Sequence, residues 1–304
     1  MSNQPKIFGH RGAPHVLPEN TLASFDHAIA VGADGLELDV LMTRDGIPVV
    51  THNPRLMADT TRGPDGAWLN EDGPAIRDLT LEELRRYDVG GIRPGSDYAA
   101  RFPDQMMLEP TSVPTLAEVL ALVAAAPRRI DLLVELKHAP KTDTPQAPLD
   151  VFVGAVVADL TAFRLVEQSW LHAFNWAVLE EGARQCPELR RSHLSIAQGH
   201  FPFATFKAGS DWLGGIEWNE DLPAVFRGLK TCGAAVWSPY HKDASPEAIT
   251  AAQSNGLDVM VWTVNEPETL RRMINAGVEG MITDDPATAL GLRDGQHAKQ
   301  DVVA

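Results

Sequence analysis

The chain has 304 residues, 44% hydrophobic and 22% charged, enough to bury a large core in one barrel-sized domain or two ordinary ones. It contains no run of about 18 apolar residues that could span a bilayer. Its formal net charge of -15, without a basic stripe, argues against nucleic acid as a partner, so any anionic ligand must be met by local cations.

Cys186 and Cys232 are far apart and stand in no metal-like spacing, which argues against a disulfide framework. The opening MSNQPK runs into an apolar segment without the hydrophobic region of a secretory signal, so the expected location is cytoplasmic.

Short apolar runs alternate with helix-length segments along most of the chain, the pattern of parallel α/β architecture. KIFG (6 to 9) is the first expected strand and delivers GHRGAP at its end. A helix is expected from Asn20 to Val31, capped by Asn20, before the second strand GLELDV (35 to 40). AspGly at 45 and 46 signals a tight turn, and IPVVT (47 to 51) then returns as a hairpin that would set His52 opposite Asp39.

Residues 53 to about 113 break the alternation. They are rich in Gly, Pro, Asp and Arg, with TLEELRRYD the one clear helix, and read as an insertion over the barrel mouth, either a surface excursion or a substrate-shaping lid.

The alternation resumes with a helix at Thr115 to Ala126 and the strand DLLVEL (131 to 136). Strands follow at WLHAF (170 to 174), HLSIA (193 to 197), AAVWS (234 to 238), DVMVWTV (258 to 264) and GMIT (280 to 283). Between them lie helices at Leu149 to Phe163, Ala177 to Cys186, Leu222 to Thr231, Pro246 to Asn255 (capped by Ser245) and Glu266 to Ala276, with one more after Pro286. The polar tail, about 293 to 304, is expected to be disordered. Eight strands plus a hairpin return favour a closed (β/α)8 TIM barrel with a subdomain inserted after the second strand, one catalytic domain over 1–304, rather than an open doubly wound sheet.

Residues two apart on a strand face the same way, so Glu37 and Asp39 point together into the barrel while Leu36, Leu38 and Val40 face the helices. Two buried carboxylates without a partner are costly, so a cation or protons must compensate. DLLVELK repeats the device with Glu135 and Lys137. Glu37, Asp39 and Glu135 could converge on one hard divalent ion, Mg²⁺ or Ca²⁺. Alternatively, Lys137 merely neutralises Glu135.

His10 and Arg11 reach the same mouth from the first strand and His52 from the hairpin, giving two candidate acid/base groups and, with Lys137, two cations matched to phosphate oxygens. The other histidines, such as His138, His172, His193 and His297, read as surface residues. A glycosidase using Glu37 and Glu135, or a phosphate-binding module without turnover, stays open on residues alone.

HRGAPHVLPENTLASFDHAIAVGADGLELDVLMTRDGIPVVTHNP resembles the signature of the glycerophosphodiester phosphodiesterase family, and VELK (134 to 137), FN (174 and 175), VWTVN (261 to 265) and ITDDP (282 to 286) extend the likeness in order. The resemblance implies a barrel with an insertion after its second strand that hydrolyses glycerophosphodiesters to sn-glycerol 3-phosphate and an alcohol. By motif, Glu37, Asp39 and Glu135 would hold one divalent cation and His10 and His52 would be the acid/base pair. Arg11 and Lys137 would bind phosphate, Trp262 would line the glycerol side, and Glu19 and Asn20 would support the first loop. A related activity on lysophospholipid-type diesters is the alternative. Two positions depart from the pattern: Asn53 where the family often has Asp, and Ala173 where Ser is common.

Overall fold

The computed structural model describes residues 4–197, 199–218 and 220–295. Most of the tail expected to be disordered therefore lies outside the described residues, although its first residue, Arg293, ends a helix.

Among the described residues nine strands form one sheet: β1 (Lys6–His10), β2 (Gly35–Met42), β3 (Pro48–Val50), β4 (Asp131–Leu136), β5 (Ser169–Ala173), β6 (Arg190–Ser195), β7 (Val236–Pro239), β8 (Asp258–Val261) and β9 (Gly280–Thr283). Eight are parallel and run in the order β1-β9-β8-β7-β6-β5-β4-β2, with β1 pairing β2 to close the ring. The ninth, β3, adds antiparallel to β2. This is a (β/α)8 TIM barrel with a hairpin at one strand.

Among the described residues ten α-helices run in chain order: α1 (Leu22–Ala30), α2 (Leu81–Leu84), α3 (Asp97–Arg101), α4 (Leu116–Ala124), α5 (Leu149–Ala162), α6 (Trp176–Gln185), α7 (Leu222–Thr231), α8 (Pro246–Ser254), α9 (Pro267–Ala276) and α10 (Pro286–Arg293). All but α2 and α3 follow the barrel alternation. Phe25 and Ala28 of α1 share one apolar layer with Leu36, Leu38 and Val40, the outward face of β2. Burying such a side chain is worth about 1.5–3 kcal/mol, and this layer commits the intervening residues of β2 to the interior.

Two local expectations are corrected. The cap of α1 is Thr21, whose hydroxyl accepts from the Ser24 N–H at 3.2 Å, not Asn20. Asn20 instead adopts a left-handed φ of 55°, which frees its side chain for the site. The hairpin loop is also one residue longer than a two-residue AspGly turn: Thr43 N–H donates to Ile47 at 3.0 Å, and Gly46 takes φ 83°. Three-residue loops of this kind need a residue in the left-handed region, which Gly supplies without strain. The register moves by one, Val40 pairing Val50, so that Thr51 rather than His52 lies across from Asp39.

The insertion has its own small core of Leu56, Ile76, Leu84 and Val113 against Leu41 and Val49 of the hairpin. The helix expected over TLEELRRYD is one turn, held by a capping box between Thr80 and Glu83, while α3 has no apolar period to announce it. Cys186 and Cys232 are free thiols. Among the described residues no helix is long and apolar enough to cross a membrane.

Candidate active site

Strand register assembles the site. β1 pairs His10 with Glu37, and β2 pairs Asp39 with Glu135, so four polar side chains share the carboxyl ends of three adjacent strands, where barrel enzymes place their chemistry. Beneath them the barrel is plugged by Phe8, Leu133, Trp170, Val236, Met260 and Ile282. Gly35 makes room for that plug: a Cβ there would stand 2.4 Å from the Phe8 ring. The charged groups therefore sit between an apolar floor and the open mouth.

Glu37, Asp39 and Glu135 are 2%, 1% and 7% exposed, and each offers a carboxylate oxygen within 4.8 Å of the others. Burial pushes Glu37 well above the usual carboxylate range, reinforced by Asp39 and Glu135, and burial likewise raises Glu135 against the pull of Lys137. Burial would raise Asp39 too, but its neighbours, His52 when protonated and the permanent cations Arg11 and Lys137, hold it below that range.

The cations are firmly held. Lys137 donates to Glu135 at 2.7 Å and lies 3.5 Å from Asp39. Arg11 Nη1 donates to Glu19 at 3.0 Å, and the Arg11 backbone N–H donates to Glu37 Oε2 at 3.1 Å. Arg11 Nε lies 3.1 Å from Asp39 Oδ2 but is not aligned as a hydrogen bond, leaving a buried donor available for an anion. Asn20 Nδ2 completes the shell around Asp39 at 3.0 Å.

This donor set fits a hard cation. Three buried carboxylates, with Glu19 and Asp284 beside them, outnumber Arg11 and Lys137, and a phosphodiester would add further negative charge. A divalent ion would offset this, and oxygen-only donors suit Mg²⁺ or Ca²⁺ rather than zinc. Glu37, Asp39 and Glu135 form a group that could hold such an ion.

The two imidazoles are held differently. His10 Nδ1 lies 2.5 Å from Asp284 Oδ1, and its Nε2 lies 3.9 Å from Glu37. Asp284 is itself oriented by Asn265 Nδ2 at 2.6 Å; burial would raise its carboxyl, but His10 and these hydrogen bonds hold it below the usual range. His52 Nδ1 instead lies 2.8 Å from the neutral Asn53 Oδ1, and Asn53 in turn donates to Met57. Burial pushes His52 well below the ordinary imidazole value, with Arg11 and Lys137 adding to the effect and Asp39 offsetting part of it. A neutral His52 leaves Arg11 and Lys137 as the charges that keep Asp39 ionised.

His10, Arg11, Glu37, His52, Glu135, Lys137 and Trp262 all line one cavity of about 680 Å³. Asp39 lies just beneath, against Arg11 and Lys137. All eight residues singled out in the sequence are thus brought to one place.

Three further participants were not singled out. Asp284 follows β9 in ITDDP, and Tyr98 of α3 donates to Glu19. His172 is 1% exposed and lines the cavity, with its imidazole pushed down to about 3 by burial, so the surface reading fails for it. It fails equally for His193, 3% exposed on β6. The signal for His172 was its strand parity with Trp170. His297 lies outside the described residues.

A closed barrel whose mouth gathers three acids, two cations and two imidazoles is the site of a hydrolase of anionic esters. The pattern of the glycerophosphoryl diester phosphodiesterase family matches residues 10–288. The chain belongs to that family, and it is an enzyme, a phosphoric diester hydrolase.

It resembles a candidate glycerophosphoryl diester phosphodiesterase from Silicibacter pomeroyi DSS-3, 38% identical, with a TM-score of 0.86 over 98% of this chain and 95% of that one. A glycerophosphodiester phosphodiesterase from Caldanaerobacter subterraneus subsp. tengcongensis is 28% identical over 94% of this chain and 96% of its own. A phosphodiesterase from Oleispira antarctica, solved in complex with the product sn-glycerol-3-phosphate, shares the fold at 22% identity and a TM-score of 0.68, covering 96% of this chain and 97% of that one.

Proposed function

We propose that the enzyme hydrolyses glycerophosphodiesters to sn-glycerol 3-phosphate and an alcohol in a reaction that depends on one divalent cation, Mg²⁺ or Ca²⁺. The observation that carries this reading is the convergence of the buried triad Glu37, Asp39 and Glu135 with Arg11 and Lys137 at a cavity faced by two differently held imidazoles. Glu37, Asp39 and Glu135 would hold the cation, which when bound supplies charge that stabilises the phosphoryl oxygens.

Arg11 and Lys137 grip the phosphodiester and spread its developing negative charge. Trp262 lines the glycerol side, its Nε1 fixed on the Ser238 carbonyl at 3.0 Å.

The difference between the imidazoles supports a division of labour. Asn53 Oδ1 accepts from His52 Nδ1–H, which leaves Nε2 with a lone pair on a ring that burial keeps neutral, the state a general base needs. Asp284 Oδ1, 2.5 Å from His10 Nδ1, fixes that ring in place at the cavity, as a general acid needs. His52 then takes the proton of the attacking hydroxyl while His10 protonates the departing alkoxide. Glycoside hydrolysis is disfavoured because Lys137 and the Arg11 backbone N–H already engage Glu135 and Glu37, the carboxylates that would flank a sugar.

The test is product analysis on a small phosphodiester panel with Mg²⁺, Ca²⁺, Mn²⁺ or chelator. Release of sn-glycerol 3-phosphate that chelator abolishes and a divalent ion restores is the expected result. Turnover indifferent to chelator would refute the cation, and turnover of aryl glycosides instead would refute the reaction.

A further inference from the structure

The mouth holds a third imidazole, which the chemistry above leaves unused. His172 lies on β5, paired in register with Glu135 of β4 on one side and with Ser192 of β6 on the other. It is 1% exposed and yet lines the cavity, so its ring is reached from inside the site. Its Nδ1 lies 2.9 Å from the hydroxyl of Ser192, itself fully buried. Its Nε2, at the far end of the ring, has no hydrogen-bond partner among the described residues and is left to the cavity. A buried polar atom without a partner is uncommon, because it forfeits its bond to water and receives nothing in exchange.

His172 stands at the seam between the charged and the apolar parts of the mouth. The charges of Asp39 and Lys137 act on its ring. Two residues further along, Phe174 lines the same cavity and meets Trp262 edge to face with centroids 5.3 Å apart. A substrate gripped at phosphorus by Arg11 and Lys137, with its glycerol against Trp262, therefore passes this ring with the glycerol.

Three kinds of ligand could occupy Nε2, and the surroundings separate them. The carboxylate oxygens that gather within 4.8 Å come from Glu37, Asp39 and Glu135, so His172 stands outside the group that could hold a cation. A phosphoryl oxygen only accepts, and would need a proton fixed on Nε2. His10 has a carboxylate against Nδ1 to fix its tautomer, whereas His172 has a serine hydroxyl, which donates or accepts equally well. A hydroxyl ligand has the same freedom. The chain from Ser192 through His172 to a hydroxyl stays complete whichever way its protons run.

We propose that His172 Nε2 binds a free hydroxyl on the glycerol of the substrate, so that the Ser192–His172 pair selects glycerol over simpler alkyl groups. This rests on the phosphodiesterase reading above and deepens it by naming a residue that sets specificity. No bond is made or broken at His172; it binds and does not transfer a proton to the reacting atoms.

The test holds the leaving alcohol constant and varies the other side of phosphorus. With added Mg²⁺ or Ca²⁺, kcat/KM is measured for glycero-3-phosphocholine and for the two analogues that lack the hydroxyl at C1 or at C2 of the glycerol. For the wild type, one analogue should fall by about ten- to a hundredfold, because it leaves Nε2 buried and unpaired. In His172→Phe, which keeps a ring and removes both nitrogens, that ratio should collapse toward one, the glycerol diester losing what the analogue does not. His172→Gln keeps a donor and an acceptor on a different frame and should give a ratio between the two. It carries the test if a thermal melt shows that His172→Phe does not fold.

Equal turnover of all three diesters by the wild type would overturn the proposal, as would a ratio that survives unchanged in a folded variant. A variant that loses the same factor on every diester would overturn it too, since that is the mark of a histidine that only holds the strands together. In each of these cases the phosphodiesterase reading stands. Failure of the wild type to turn over any of the three would instead remove that reading, and the proposal with it.

Discussion

The two arcs of the barrel mouth are built by opposite means. The arc formed by β9, β1, β2 and β4 carries His10, Arg11, Glu37, Asp39, Glu135, Lys137 and Asp284, nearly all tied to a neighbour by a hydrogen bond or ion pair. The arc from β5 to β8 carries His172 and a set of rings packed mainly on one another, with Trp262 also fixed on the Ser238 carbonyl and Lys242 over Tyr240. Directional bonds to buried groups fix atoms to a fraction of an ångström, as chemistry on phosphorus requires. Dispersion contacts between rings tolerate many shapes of ligand. The first arc should therefore set the rate for every substrate, and the second should set which substrate is turned over.

The strongest challenge to this division is removal of an imidazole. His10→Ala and His52→Ala should each lower kcat by about 10²- to 10⁴-fold, and by a similar factor on every diester in the panel. Steady-state kinetics on two diesters of unequal apolar content checks both statements. A variant with full rate loses its acid/base role, and one that changes the ratio between substrates blurs the two arcs.

How far these arcs were readable in advance depended on period and register. The acids of β2 and β4 were legible because a two-residue period in a fully buried strand sends alternate side chains to opposite layers. His172 obeys the same parity on β5 and was passed over only because a lone histidine is more often a surface residue. Asp284 was not legible: two adjacent aspartates follow β9, and only the β1–β9 register decides that the first flanks His10 while Asp285 caps α10. His52 shows the limit most clearly. One extra loop residue around Gly46 shifted its partner strand, yet the chain beyond β3 still brings it to the cavity. Tyr98 comes from a short helix in the insertion, where no periodic pattern exists to read.

A smaller effect sharpens the contrast inside the charged arc. Asn53→Asp would place a carboxylate on His52 Nδ1, where a neutral amide now lies at 2.8 Å. A negative neighbour favours the imidazolium, so the depressed His52 value should rise. A general base works only when neutral, so the acidic limb of the kcat/KM profile should move to higher pH. A limb that stays in place, or moves to lower pH, would mean that His52 is not the base.

The smallest expected effect lies where the insertion meets the charged arc. Tyr98 donates to one oxygen of Glu19, whose other oxygen accepts from Arg11 at 3.0 Å. Burial, together with the adjacent Glu19 carboxylate, pushes the phenol far above its ordinary value, so it remains a donor throughout the working range. In Tyr98→Phe the ring still packs on Phe102, 5.5 Å away between centroids, while Glu19 loses its second anchor. One hydrogen bond of about 0.5–1.5 kcal/mol then stops restraining the guanidinium, a two- to tenfold loss in kcat/KM. On the role proposed for Arg11, gripping the phosphodiester in both the bound and the reacting state, the loss should fall mainly on KM and equally on every diester. A loss confined to the more apolar diesters would instead join the insertion to the aromatic arc.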